Sequence, residues 1–227
     1  MKAAFHGHAV VSLETDKGIK ILIDPFITDN SLTDLDANTV EADVILLTHG
    51  HSDHIGDTLE IAKRTGAVVI STVEVVNYLG SLGLEKLHGM QPGGAHEFDF
   101  GRVKMTPAIH GSSIEMDGKP FTLGLAAGLL ITADEQTVYH VGDTALYSDM
   151  KLIGELNDID LAFIPIGDNF TMGPDDAAIA AKWLKAKKVV PIHYNTFPLI
   201  NQDPIIFIDK LDANIGLIPV IGETIDF

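Results

Sequence analysis

The residues best equipped for chemistry stand together: Thr48-His49-Gly50-His51-Ser52-Asp53-His54 sets three imidazoles and a carboxylate within six positions. Those donors suit Zn, Fe, Mn or Ni ions. At this composition the four fixed positions would arise by chance in roughly two chains per thousand, which makes the motif specific enough to argue a mechanism from. His49 and His51, two apart, point to one side of an extended backbone, and the small Gly50 and Ser52 let the chain bend closely round an ion. Asp53 and His54 come next and can face a second position, so one short loop could serve two metals. Two ions need further ligands. His110, Asp143 and His193 each follow an apolar run at the point where a strand gives way to a loop, the place where binding residues converge on a rigid scaffold. Alone, each would more often be structural; beside the 49–54 segment the balance reverses.

The elements that must hold these residues follow from periodicity. Residues 9–11 and 19–23 are short β-prone runs separated by Thr15-Asp16-Lys17-Gly18, which predicts an opening hairpin ended by Asp24-Pro25. The acidic, polar stretch 28–42 reads as a loop or lid, and 44–47 as a buried strand. Helices over 55–64, stopped at Gly66, and 73–82, stopped at Gly83, flank a strand at 68–70. Strands at 97–100, 103–109, 121–131 and 137–141 follow, with turns at Asp117-Gly118 and Asp134-Glu135. The last third alternates again: a strand at 161–166, a helix over 174–186 with Pro174 in its first turn, a strand at 189–192, a helix over 203–211 and a short strand at 217–221. Because β-rich and β-α stretches alternate in both halves, the expectation is an α/β chain with two sheets and helices outside them, a single domain over 1–227.

Composition narrows the function. The 227 residues carry 15 Lys+Arg against 32 Asp+Glu, a formal charge of −17, and no Cys. That charge repels nucleic acids and anionic membranes in the absence of a basic patch, and Lys182, Lys185, Lys187 and Lys188 read as a helix end. No nucleic-acid or membrane partner is expected; the partner is a small-molecule substrate, with self-association left open. The missing cysteines exclude a disulfide framework, a thiolate zinc site and a cysteine nucleophile. The expected location is cytoplasmic.

The order His49-x-His51-x-Asp53-His54, then His110, Asp143 and His193, resembles the metallo-β-lactamase-fold superfamily of metal-dependent hydrolases over nearly the whole chain. Gly7-His8-Ala9, Asp24-Pro25, Pro165-Ile166-Gly167-Asp168, Thr171-Met172-Gly173-Pro174 and 191–197 are similar to the metal-dependent hydrolase branch related to the L-ascorbate-6-phosphate lactonases. The resemblance implies a four-layer αββα sandwich with metals at one edge between the sheets. His49, His51 and His110 would hold the first ion, Asp53, His54 and His193 the second, and Asp143 would bridge them. Two divalent ions are implied, zinc first, with Mn, Fe, Ni or single occupancy as alternatives. The implied reaction is hydrolysis of a small ester or lactone, phosphorylated or not, by a metal-bound hydroxide that Asp53 orients as the catalytic residue. A phosphodiesterase is the alternative within that class, and a non-catalytic metal-binding module the alternative outside it. Asp24 would support the metal loop. His8 would line the pocket, with His6 alternating on the same strand, and Asp168 and Asn195 would bind substrate. His88, His96 and His140 lack companions at ligand spacing and are expected to be structural.

Overall fold

Strict alternation in three short strands lays down the first sheet. β1 (Lys2–Phe5), β2 (Val11–Glu14) and β3 (Lys20–Ile23) pair antiparallel. Ala3, Phe5, Val11, Leu13, Ile21 and Ile23 all enter the same buried cluster, as a two-residue period requires. β4 (Val44–Leu46) joins parallel to β3. The chain then passes through α1 (Ser52–Ile55), α2 (Thr58–Thr65), β5 (Val68–Thr72), α3 (Val73–Ser81) and β6 (Leu87–Met90), with β5 and β6 parallel to β4. The computed structural model describes residues 1–227.

The second sheet begins with β7 (Ala95–Phe98) and β8 (Gly101–Pro107), departs into a separate hairpin of β9 (Ser113–Met116) and β10 (Lys119–Thr122), and resumes with β11 (Ala127–Ala133) and β12 (Gln136–His140). α4 (Met150–Leu156), β13 (Leu161–Pro165), α5 (Pro174–Leu184) and β14 (Lys188–Ile192) complete it. After α6 (Pro204–Ile208), β15 (Thr224–Ile225) returns to the first sheet beside β1. The orders are β15-β1-β2-β3-β4-β5-β6 and β14-β13-β12-β11-β8-β7.

Three buried clusters define four layers. One lies between the sheets and joins Phe5, Ile23 and Leu46 to Met105, Leu129 and Phe163. A second packs the far face of the second sheet, through Leu130, Tyr139 and Ile164, under Ala177, Ala181, Leu184 and Phe207. The third packs Leu22, Ile45 and Val69 under Ile61, Val75 and Leu79. Burying each such Leu, Ile or Phe contributes about 1.5–3 kcal/mol, so the apolar stripes of the helices fix them outside the sheets. This is the αββα sandwich.

Several elements differ from the sequence reading. The strand β1 precedes the expected hairpin, and β6, β9 and α4 were not expected. The run 121–131 is split, because Leu123 to Ala126 is the crossing from hairpin to sheet. The helix expected over 55–64 is broken at Gly56, at φ +43°, where an added Cβ would stand 2.3 Å from the Pro25 carbonyl oxygen. The preceding turn is itself helical and carries Asp53 and His54. No strand forms at 217–221, where Ile218 and Val220 are exposed and only Gly216 bridges to Val189. The 28–42 segment is a loop, held by Arg64 at the carbonyls of Ala37 and Val40 and packed on the helical side through Leu35 and Val40.

Candidate metal centre

One edge of the sandwich gathers the ends of β3, β4, β8, β12 and β14, and each end delivers a polar side chain. Asp24 follows β3, His49 and His51 follow β4, His110 follows β8, Asp143 follows β12 and His193 follows β14. α1 adds Asp53 and His54, and the β1–β2 turn adds His8. His8, Asp24 and His193 take φ values of +55°, +46° and +55°. Three non-glycine residues in the left-handed region within one site are the backbone strain that surrounding structure holds at functional positions.

His49, His51 and His110 converge. His49 Nε2 lies 2.9 Å from His51 Nδ1, which lies 3.3 Å from His110 Nε2. Burial lowers all three imidazoles, and neighbouring histidines lower them further against the pull of Asp143 and, at His51, Asp53, so each offers a neutral nitrogen. The tautomer of His49 is set behind it. Asp24, fully buried, accepts from Thr48 N–H at 2.8 Å, from Thr48 Oγ1–H at 2.6 Å and from His54 Nδ1–H at 2.8 Å. With its hydroxyl proton given to Asp24, Thr48 Oγ1 accepts from His49 Nδ1–H at 3.0 Å. One carboxylate therefore fixes the Nδ1 protons of both His49 and His54 and leaves Nε2 as the atom each turns to the site.

The second group surrounds Asp143. Its Oδ2 stands 3.0 Å from His193 Nε2, 3.3 Å from His54 Nε2 and 3.5 Å from His110 Nε2, a position between the two sets. Asp53 Oδ2 lies 3.7 and 3.9 Å from His193 and His54 Nε2, and 3.0 Å from His8 Nε2. Burial opposes charge on every one of these groups, yet opposite charges prevail on four of them. Asp143 and its neighbouring carboxylates hold His54 well above the ordinary imidazole value and His193 at about 9. The imidazoles hold Asp53 and Asp143 below the ordinary carboxylate range. His8 goes the other way: burial takes it down to about 4. Being neutral, it has one N–H, which Asp53 accepts, leaving Nδ1 to accept from Thr196 Oγ1–H at 2.7 Å.

These residues fit a metal on an observation independent of their spacing. His54 Nε2, both ring nitrogens of His193 and Asp143 Oδ1 are buried without a hydrogen-bond partner. Buried polar atoms are normally satisfied, and here the two unpartnered Nε2 atoms of His54 and His193 both lie against the Asp143 carboxylate. The ligand atoms of His49, His51 and His110 lie within 4.8 Å of one another, as do those of His8, Asp53, His54 and His193, and those of His49, His54 and Asp143. Nitrogen and carboxylate donors in this mixture suit zinc and its first-row neighbours.

The structure thus brings together all seven ligands expected from sequence. His8 joins them from behind Asp53, fully buried, instead of lining the open pocket. His6 leaves for the other face of the sheet, because Gly7 at φ +87° and His8 at φ +55° break the alternation. Asp168 is exposed beside Gly173, and Asn195 closes its own loop by accepting from Gln202 N–H at 2.9 Å; neither lines the metal pocket. His140 is structural, donating to the Ala9 carbonyl and accepting from Gly142 N–H. Thr48, Thr196 and Phe170 were not singled out. Thr48 and Thr196 sit inside the quoted motifs, but only the folded geometry shows their hydroxyls against His49 and His8. The open pocket, about 210 Å³, is lined by His51, Asp53, His110, Asp143, His193 and the half-exposed Phe170.

Comparison with known proteins agrees with this geometry. Residues 20–194 match the family described as "Beta-lactamase superfamily domain". The chain is 59% identical to a UPF0173 metal-dependent hydrolase of Shouchella clausii and 58% identical to YtkL of Bacillus subtilis, another of that name, with each pair covered over 100% of both chains. It superposes on Igni18, a metallo hydrolase from Ignicoccus hospitalis, with a TM-score of 0.87 at 37% identity, over 99% of this chain and 97% of that one. With a full-length match on one side and a converging set of buried His and Asp ligands on the other, the chain belongs to the metal-dependent hydrolases of the metallo-β-lactamase fold.

Proposed function

We propose that the centre hydrolyses a small, uncharged ester or lactone. The observation that carries this reading is the lining of the pocket: ligand side chains form one wall, Phe170 forms the other, and no lysine or arginine is among the six residues. A phosphoryl group, whether in a phosphodiester or on a phosphorylated lactone, would find no lysine or arginine here and would depend on the ions alone for its charge. An acyl group with an apolar substituent matches Phe170 instead.

Two divalent ions, zinc first, would be held by His49, His51 and His110 and by Asp53, His54 and His193 with Asp143 between them; when bound they acidify water and polarise a carbonyl oxygen. The remaining work falls to this chain. Asp53, fixed by His8 on Oδ2, orients the attacking water by accepting its hydrogen bond, and carries the released proton toward the leaving oxygen. Asp24 and Thr48 keep the imidazole lone pairs aimed inward. Phe170 shields one side of the pocket from solvent and packs on the acyl substituent.

The test is a comparison of kcat/KM for uncharged aryl esters, aliphatic lactones and bis(p-nitrophenyl) phosphate with protein loaded with zinc, manganese or iron. Ester or lactone turnover that chelation abolishes and His51→Ala removes is the expected result. Turnover confined to the phosphodiester would overturn the assignment in favour of a phosphodiesterase. No turnover of any arm by fully metal-loaded protein would favour the non-catalytic module.

A further inference from the structure

On the outer face of the first sheet the β1–β2–β3 meander and the 28–42 loop enclose a groove of about 260 Å³, and none of its lining residues lines the metal pocket. Ala4, Leu22, Leu35 and Val40 give it an apolar interior. Two of its lining residues, His6 and Ser12, stand in relay with Asp34, which lies beside the groove and does not line it. Asp34 Oδ1 lies 2.7 Å from His6 Nδ1, and His6 Nε2 lies 2.7 Å from Ser12 Oγ. A carboxylate only accepts, so the neutral ring carries its proton on Nδ1, and the bare Nε2 can be met only by a donating Ser12 hydroxyl. His6 is 5% exposed, whereas Ser12 is partly open to the groove. A buried base is thus aimed at a reachable hydroxyl. Carboxylate, imidazole and hydroxyl in that order are what activates a serine nucleophile on unrelated folds.

We propose that Ser12, His6 and Asp34 form a second, metal-independent acyl-transfer site for esters of small aliphatic acids. Ser12 Oγ bonds to the acyl carbon as its proton passes to His6 Nε2. The bond from that carbon to the leaving oxygen then breaks, and the departing alkoxide takes the proton from His6. Water next attacks the acyl-Ser12 ester and gives one proton to His6, which returns it to Ser12 Oγ as the carboxylic acid leaves. Asp34 holds the ring and balances its charge while it is protonated. Lys2 is paired with Glu14 at 3.1 Å, which leaves Lys20 as the groove's cation for the charge developing on the carbonyl oxygen.

The intact protein is treated with p-nitrophenyl acetate in excess dipicolinate, which suppresses the metal centre, and the acetylated residue is located by peptide mass spectrometry. A burst of p-nitrophenol with the acetyl group on Ser12 is expected. Ser12→Ala removes the adduct while retaining zinc uptake. Asp34→Asn donates to His6 Nδ1, drives the ring proton onto Nε2 and slows the burst by about 10²-fold or more. A purely structural relay would not move that rate. Folded wild-type protein without acetyl on Ser12, or Asp34→Asn protein acylated at the wild-type rate, overturns the proposal.

Discussion

Asp24→Asn isolates the group that aims the metal ligands. Asp24 has φ +46°, which asparagine tolerates, so the backbone is held constant while the charge and one acceptor are removed. The carboxylate takes three hydrogen bonds, one on Oδ1 from Thr48 N–H and two on Oδ2 from Thr48 Oγ1–H and His54 Nδ1–H. An amide that keeps its oxygen at the Oδ2 position aims its NH2 at Thr48 N–H. Turned over, it opposes Thr48 and His54 and pushes the His54 proton onto Nε2, the atom an ion needs. Either way one buried donor goes unmet, at about 1–3 kcal/mol of stability. The loss of the charged orienting partner cuts metal affinity about 10- to 100-fold, or about 1.4–2.7 kcal/mol. Competitive zinc titration against a fluorescent chelator reads the affinity, and thermal melts in excess chelator read the fold separately. Wild-type zinc affinity in a variant whose chelated form melts lower would refute the orienting role and leave Asp24 as a scaffold residue.

Gly56→Ala sets a Cβ 2.3 Å from the Pro25 carbonyl oxygen at φ +43°, and is expected to lower stability by about 2–4 kcal/mol in denaturant melts; an unchanged midpoint would show that the α1–α2 junction relaxes freely. Metal-free protein is expected to melt lower as pH rises from about 6.5 to 9. His193 is raised to about 9 and His54 is raised well above the ordinary value, so their contribution is complete below the unfolded imidazole value of about 6.5 and is lost as pH passes the folded value. Melts of chelated protein across that window check it, and a flat profile rejects it. Phe170→Ala is expected to raise KM for esters with bulky apolar acyl groups about 10-fold and to leave acetyl esters nearly unchanged; an equal change on both would remove Phe170 from substrate contact.

The centre was legible in the sequence because its chemistry is local. His49 to His54 lie within six consecutive residues, and the remaining candidate ligands each follow an apolar run, so residue type and position carried the information. The supporting groups were less so. Asp24 could be named from its strand end, but nothing in a one-dimensional pattern joins Thr48 Oγ1 to His49, or Thr196 to His8 across 188 positions. Strands with mixed burial, such as β6 and β9, lack the alternation that marks Val11–Glu14 and were missed. The opposite error at 217–221 came from apolar residues that pack by contact with the core edge while the backbone makes one isolated bridge at Gly216, with Leu217 N–H donating to the Val189 carbonyl, and no strand ladder. His6 and His8 show why spacing alone misleads: two left-handed residues in succession send neighbours in a regular period to opposite faces.

The seven candidate ligands are divided between the two sheets, with His49, His51, Asp53 and His54 following β4 of the first and His110, Asp143 and His193 following strands of the second. The two sheets meet where His193 N–H donates to the His8 carbonyl at 2.6 Å. A centre assembled from such distant segments closes only after the costly long-range pairings are in place. A metal held there would then act as a brake on unfolding: it would lengthen the native lifetime the more tightly it binds, while the rate of refolding would stay the same with or without it.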